Sequence, residues 1–495
     1  MKVENNIKFK RAKTSDKGVI SAYLLIAISV AVTIITGLVV FVTTNHRQST
    51  NEVSNQQALQ IAESGIYYYR WYLAHSLDGR DVLQIKDFWE NGSPLGVGTP
   101  YENDVTDFSG NVKGRYRVEA IPPEPDSTIV IVSSTGWTYK DPQITKSVRV
   151  RFRRPSWSEY SVLANDIVRF GEGTSVYGPV HSNNGIRFDG IANNTVSSAV
   201  VDYYDPDTHS TKPGIWTSLS NEEEVFLAGK EFPVAALDFN GVTTDLSLMR
   251  SEAQVDGIYF EGDTYSEEVC EWRKVHGKMV YSCETETIIV EGYHVTLRTD
   301  DKIEIRMITD YQGDGPHEPK TYKIQKETDP VLYDIPSNGL AFFGSHVWVE
   351  GQIDSARLTI IAASLNSSND ENIYINDSIL YTNKNGQDII GLVAEGDISI
   401  GLYSANNLEI DAALLAKNGR VGRDYFTESH SNAFTKRDRI VVYGSIATNE
   451  RYGFAWTDGT GYQIRDIYFD NNLLYYPPPY FPTGTVYELD LWEDL

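Results

Sequence analysis

The sequence predicts a mainly β protein carried on one long N-terminal α-helix: the helix and a small antiparallel meander, then a parallel β-solenoid with an α+β insertion. Three observations predict it. Residues 19–42, VISAYLLIAISVAVTIITGLVVFV, carry no charge and as a helix reach about 36 Å, enough for the roughly 30 Å hydrocarbon core of a bilayer. The composition, with 31 Tyr and 38 Gly against 4 Met, suits strands and turns more than helix bundles. A short apolar motif returns four times between residues 347 and 446, as stacked coils require. At 495 residues the chain exceeds one ordinary core, so several packed units are expected.

Six basic residues (Lys2, Lys8, Lys10, Arg11, Lys13, Lys17) precede the apolar run against Glu4 and Asp16. The positive-inside bias therefore keeps the N-terminus cytoplasmic and sends the rest of the chain outward. A cleavable secretory signal would need a shorter apolar core and a small-x-small site, and VVFVTTNHRQ offers none. From Thr43 to Leu77 there is no proline, and Leu59, Ala62, Ile66, Tyr69, Leu73 and Leu77 recur every three or four residues. The helix is therefore expected to continue as an amphipathic extension over 43–78. Gly65, with Ala62 and Ser64, makes a smooth patch that another backbone could approach, from another subunit or from the chain's own outer domain.

The junction TSDKGVISAYLLIAIS (14–29) and the extension QALQIAESGIYYYRWYL (57–73) resemble a type IV prepilin, specifically the PilX-type minor pilins and related large minor pseudopilins. The resemblance implies a leader of residues 1–18 cut after Gly18, in the Lys17-Gly18 junction, by a membrane-bound prepilin peptidase that then methylates Val19. It also implies the inner membrane and other pilin or pseudopilin subunits as partners. A glycine suits the cut because it lets the backbone enter a tight protease cleft. One position departs from the pattern. The family's glutamate five residues into the mature chain, which would pair with a neighbour's free amine, is here Tyr23, and a phenol carries no negative charge near neutral pH. Such a subunit offers nothing to the amine of one stacked above it, which suits the filament tip.

Residues 79–155 read as a small meander with strands at 114–121, 128–137 and 145–153, punctuated by Pro, Gly and Asp. Helix then meander also resembles a minor pilin head. The first solenoid part is expected at 156–201, an insertion at 202–330, and the rest of the solenoid at 331–450. The motif copies are VWVEGQI (347–353), IYINDSI (373–379), LEIDAAL (408–414) and IVVYGSI (440–446), with starts 26, 35 and 32 residues apart and a weaker copy TSVYGPV at 174–180. Val347, Val349, Ile373, Ile375, Leu408, Ile410, Val442 and Ile446 should point inward. A β-sandwich of similar strands is the alternative. The tail, 451–495, gathers Tyr475, Tyr476, Tyr480 and Phe481 around three prolines, a polyproline segment expected to dock on its own domain.

The two cysteines lie in CEWRKVHGKMVYSC (270–283). A two-residue turn on His276-Gly277 sets Cys270 opposite Cys283, in the closer, non-hydrogen-bonded class of antiparallel pairs, so a bridge and an oxidising compartment are expected. With two cysteines and one turn histidine the segment lacks four zinc ligands, so no metal and no cofactor are expected. Lys plus Arg total 43 against 68 Asp plus Glu, a formal charge of -25, which disfavours nucleic acid. There is no HExxH, GxSxG, P-loop or dinucleotide fingerprint. Asp354, Asp377, Asp397 and Asp411 could gather on one face as in β-helix enzymes that cleave acidic polysaccharides, though acids beside strand turns commonly form the turn. In GPVHSNNGIRFDG (178–190), His181 and Asn183 are the residues on which a binding site could be built. The expected function is thus a non-enzymatic, membrane-inserted minor pilin that displays a β-rich surface. The alternatives are an uncleaved membrane-anchored surface adhesin or carbohydrate-binding β-helix protein and, from another class, a β-helix enzyme.

Overall fold

The computed structural model describes residues 16–124, 127–237, 239, 242–262, 264–313, 320–365, 370–427 and 433–495; the leader before Asp16 lies outside them. Helix α1 (Asp16–Ser76) runs unbroken for 61 residues, about 90 Å. From Ile20 to Ser49 every residue is exposed. The hydroxyls of Ser29, Thr33, Thr36, Thr43 and Thr44 donate to carbonyls three or four residues back, so these polar groups are satisfied within a helix long and apolar enough to cross a membrane.

The distal half of α1 is buried on one stripe, Ala58, Ile61, Ala62, Ile66, Tyr69 and Leu73, continued by Leu77 just past its end, against Val118, Val130, Val132, Val148 and Val150. Helix α2 (Val82–Glu90), started by an Asp81–Gln84 capping box, adds Ile85, Phe88 and Trp89 to the same core. The sheet is antiparallel: β1 (Tyr101–Thr106), β2 (Val112–Ile121), β3 (Ile129–Thr138) and β4 (Thr145–Arg153) follow in order. The smooth helix patch is used by this sheet. A Cβ on Gly136 of β3 would lie 2.4 Å from both the Ala58 carbonyl oxygen and the Ala62 nitrogen, and one on Gly65 would lie 2.3 Å from Ser134 Oγ. Only glycines allow strand and helix to approach this closely.

Beyond β4 a parallel solenoid rises, and one ladder runs through it: Ile258, Ala341, Ile360, Leu392, Leu414, Ile446, Val162, Val180, Val196, Lys230. The row steps back in sequence at Ile446–Val162. The coils after residue 258 therefore lie below those before residue 231, and the order in space is a circular shift of the order in the chain. This corrects the expected arrangement of a first part, an insertion and a continuation. After a short antiparallel hairpin at 202–213, residues 215–216 and 230–231 continue the first coils, with Ile215 beside Ile186 and Lys230 beside Val196, and residues 258–260 and 292–297 are already rungs, paired in parallel with 341–343 and 346–351. What remains of the insertion is a connector containing α3 (Val242–Asp256), a hairpin at 264–289, and antiparallel strands at 302–311, 324–327 and 331–334 that close the lower end.

The eight residues expected inward are all in the solenoid core and at most 1 % exposed. Of the motif copies, 408–414 and 440–446 stack in register, and Val347 sits on Ile373. The 35-residue interval is not a rung: Ile373–Ile375 stack on Ile398–Ile400, a rung too short to carry the motif. The tail is also redistributed. Gly461–Phe469 is a solenoid strand, and Glu488–Asp494 joins the head sheet as a fifth strand beside β4. Between them the proline run docks on the outer solenoid face, where the Pro477 and Pro479 carbonyls accept from Arg357 Nη2 (2.7 Å) and Thr359 Oγ1 (2.5 Å). Leu473 and Phe481 share an apolar cluster there with Leu246 and Met249 of α3.

Candidate functional site

Three places carry the residues singled out by sequence. At the helix start, the backbone of Lys17, Gly18 and Val19 is part of α1 with no break at the junction. Tyr23 is exposed on the apolar half of the helix. Further along, Tyr67, whose ring lies 6.1 Å from that of Trp492 in the C-terminal strand, and Trp71, packed on His75, remain more than half exposed, while Tyr69 between them is buried and its hydroxyl donates to the Leu95 carbonyl at 2.8 Å. The same segment thus has one face buried in its own domain and, beside it, two aromatic rings that stay more than half exposed.

His181 and Asn183 come together, and the protein itself uses their polar atoms. His181 is 2 % exposed. One ring nitrogen lies 3.0 Å from Ser197 Oγ and the other 3.2 Å from Asn183 Oδ1; burial, outweighing the Asn183 contact, holds its pKa below the ordinary histidine value. Asn183 accepts from the Leu237 nitrogen (2.8 Å) and donates to the Leu237 carbonyl (2.7 Å), which clips the connector to the stack. Its amide also donates to Asn165 Oδ1 (2.8 Å), Asn165 donates to Asn449 Oδ1 (2.9 Å), and Asn449 donates to the Asn418 carbonyl (3.1 Å). This asparagine ladder crosses the joint between the two parts of the solenoid. Sequence reasoning missed it, although an asparagine closes each of LLAKN, IATN, VLAN and HSN.

The acids considered for polysaccharide chemistry each serve a turn or a rung contact. Asp377 accepts from the Ser378 nitrogen (2.7 Å), Asp354 from Asn383 Nδ2 (2.8 Å) and Asp397 from the Arg420 nitrogen (2.7 Å). Asp411 is fully buried and accepts from the Tyr381 nitrogen (3.0 Å) and Lys384 Nζ (2.8 Å); burial raises its pKa despite that lysine. At the lower end His294 sits between Glu327 (2.8 Å) and Glu350 (3.3 Å). Burial pulls this imidazole down, but the two carboxylates outweigh it and the net direction is up.

The hairpin pairs Thr264–Val275 with Lys278–Ile289 through a two-residue turn whose His276 and Gly277 both have positive φ (49° and 81°), the type I′ geometry that matches strand twist. Cys270 faces Cys283, and the two form a disulfide, S–S 2.03 Å. Glu268 lies close to both sulfurs, but metals take thiolates and these sulfurs are joined to each other.

No protein-family model matches the sequence, and no curated protein does. Among solved structures the chain is similar to the competence-associated pilin ComZ from Thermus thermophilus, with 12% identity over 89% of this chain and 97% of that one and a TM-score of 0.32, too loose a likeness to carry a role across. The fold itself defines a mainly β protein on a single N-terminal helix that fits a single-pass membrane anchor.

Proposed function

We propose that the protein is a non-enzymatic, pilin-like filament subunit, cut by prepilin peptidase between Gly18 and Val19, methylated on Val19, and held in the inner membrane with its N-terminus cytoplasmic until it assembles with other pilin or pseudopilin subunits at the cell surface. One observation carries the reading. A single unbroken helix is exposed and apolar for its first half and is the spine of an antiparallel head for its second. Such a helix can leave the bilayer for a helical bundle without any change in the head, because each half has its own packing surface. The exposed side with Trp71 and the free edge of Tyr67 is where a neighbouring helix would lie.

Placement at the tip is supported by Tyr23, which offers no carboxylate to an overlying subunit, and by the bulk of the solenoid, which would crowd subunits along a shaft. The displayed body then serves adhesion or another surface task. Mass spectrometry of the mature N-terminus, with blotting of sheared filaments, tests the proposal. A methylated Val19 and copurification in trace amounts are expected. An intact leader in mature cells would replace the pilin reading with that of an uncleaved membrane-anchored adhesin, and even immunogold labelling along filaments would remove the tip assignment.

A further inference from the structure

The hairpin at 264–289 stands apart from the rest of the molecule. Its strands form a sheet of two, hydrogen-bonded only to each other, and at 12 residues each they reach roughly 40 Å. A lone two-stranded hairpin is marginal in water, and both its edges are unpaired. Here the Cys270–Cys283 bridge holds the strands together about midway, so the tip beyond it keeps its shape without support from the body.

That tip, WRKVHGKMVY (272–281), is basic and apolar in an otherwise acidic chain. It contains Arg273, Lys274 and Lys278 and no acid, in a chain of net charge -25 whose hairpin stem carries Glu267, Glu268, Glu271, Glu284 and Glu286. Arg273 is engaged by Glu271 and Glu284 behind the tip. Among the described residues no carboxylate pairs with Lys274 or Lys278. Five large apolar side chains are exposed beside these lysines: Trp272 (63 %), Met279 (58 %), Tyr281 (56 %), Val275 (48 %) and Val280 (44 %). They lie on both faces. Trp272 and Tyr281 are opposed on one, with ring centroids 5.3 Å apart, and the strand alternation puts Val275 and Val280 on the other.

We infer that this tip is an insertion point for an anionic lipid layer, with Trp272 and Tyr281 at headgroup level, Val275, Met279 and Val280 against the acyl boundary, and Lys274 and Lys278 on lipid phosphates. Two features favour lipid over other partners. A folded protein surface covers one face of a ribbon, whereas a lipid interface takes up apolar side chains on both without shape complementarity. Indole and phenol rings beside lysines are also the side chains that settle at a membrane interface. The acidic body does not prevent this contact, since the tip stands several Debye lengths, each about 8 Å, beyond the hairpin root. Along a polyanionic nucleic acid the same body would lie in repulsive range. The inference holds whether or not the chain is processed into a filament.

The test uses the full chain with its disulfide intact, held by α1 in immobilised nanodiscs of neutral phosphatidylcholine, over which vesicles of phosphatidylcholine, alone or mixed with phosphatidylglycerol, are passed. Capture of the phosphatidylglycerol vesicles, declining with added salt, is expected. Each lysine near an anionic leaflet is worth about fivefold in affinity, so Lys274→Glu with Lys278→Glu should weaken capture by about 25-fold or more. Trp272→Ala with Tyr281→Ala should weaken it at both low and high salt. Peptide mapping of Cys270–Cys283 in each variant establishes that the hairpin is intact. Equal capture of both vesicle types, unchanged capture by either double variant, or preference of the same tip for a DNA or RNA oligonucleotide over vesicles would each overturn the lipid assignment.

Discussion

The joint between helix and head is the part of the proposal that a single substitution can probe. Gly136 lies mid-strand in β3, where a Cβ would meet Ala58 O and Ala62 N at 2.4 Å and Ile61 C at 2.9 Å. These are helix backbone atoms, so no side chain can rotate away. Ordinary carbon contacts lie near 3.5 Å, so Gly136→Ala must lift α1 off the sheet by about 1 Å. A gap of that size forfeits a quarter to a half of the dispersion attraction across it, and the atoms facing the gap are the fully buried Ala62, Val130 and Val132. Overpacking of this kind costs about 1–3 kcal/mol, and the head should melt roughly 2–12 °C lower. Gly37→Ala is the control: apart from the helix's own backbone no atom lies within 4 Å of its Cβ among the described residues, and alanine favours a helix by about 1 kcal/mol over glycine. Thermal unfolding of the full chain in detergent, followed by hydrogen exchange in β2–β4, reads both variants. Equal melting of Gly136→Ala and parent would show that the helix does not rest on the sheet as described, and the joint would fall with it.

Further outcomes follow from other contacts. Ile410 is fully buried between Ile379 and Val442, so Ile410→Asp should cost at least about 3 kcal/mol; a variant that melts like the parent would contradict the stacking register. Replacing Cys270 and Cys283 by Ser should remove about 2–3 kcal/mol of local constraint from a 13-residue separation, so that exchange rises in the hairpin while the solenoid melts unchanged; a fall in solenoid melting would show that the hairpin supports the stack. His294 has its pKa raised by Glu327 and Glu350 and Glu350 has its lowered chiefly by His294. The histidine's contribution is present below about pH 6.5 and lost as pH rises through its folded value, and the glutamate's is present above about pH 4.3 and lost as pH falls through its own. The lower end should therefore be tightest between those limits, read as exchange protection of 302–311 and 324–334 corrected for intrinsic rate, and His294→Asn should flatten the profile.

The parts legible in the sequence are those set by local rules. A charge-free run and a stripe at three- and four-residue spacing wrote α1, and alternation between breakers wrote β2–β4. Counting outward from His276-Gly277 set Cys270 opposite Cys283. The inward faces of the coils were legible for the same reason, since Val347, Ile375, Leu408 and Ile410 obey a period of two. The order of the coils was not, because the pairing of Ile446 with Val162 joins residues nearly 300 positions apart and nothing in either stretch names the other. A readable signal did exist for the last strand. Arg149, Arg151 and Arg153 alternate along β4, and ELDLWED (488–494) carries acids to match; in the structure Arg151 and Arg153 both reach Asp490 (2.5 and 3.4 Å) and Arg149 lies 4.0 Å from Glu493. His181 and Asn183 attracted notice for their polarity, and that polarity is used for holding the connector.

The circular shift has a mechanical consequence for a body carried on a helix. The chain leaves the head after β4 and returns to it just before the C-terminal strand, and the two passages are adjacent: the Gly484 nitrogen donates to the Pro155 carbonyl at 2.7 Å, and Ser156 bridges Thr483. The solenoid therefore hangs from the head by two neighbouring segments, both fastened to β4, instead of by one tether. The second segment comes from Phe469, at the end of the strand paired with 436–444, by way of the proline run on Arg357 and Thr359; the first enters the stack at its middle rungs, Ile446–Val162. One arm runs from there through Val180 and Val196 to Lys230, the other through Leu414, Leu392, Ile360 and Ala341 to Ile258. At about 4.8 Å per strand the longer arm places the hairpin root roughly 24 Å from the joint. A pull on α1 therefore enters the solenoid at Val162 and along the rungs under the proline run, not at a terminal coil. A head-to-tail solenoid hung from its first coil would transmit the same pull through that one terminal rung, where a stack has a neighbour on only one side.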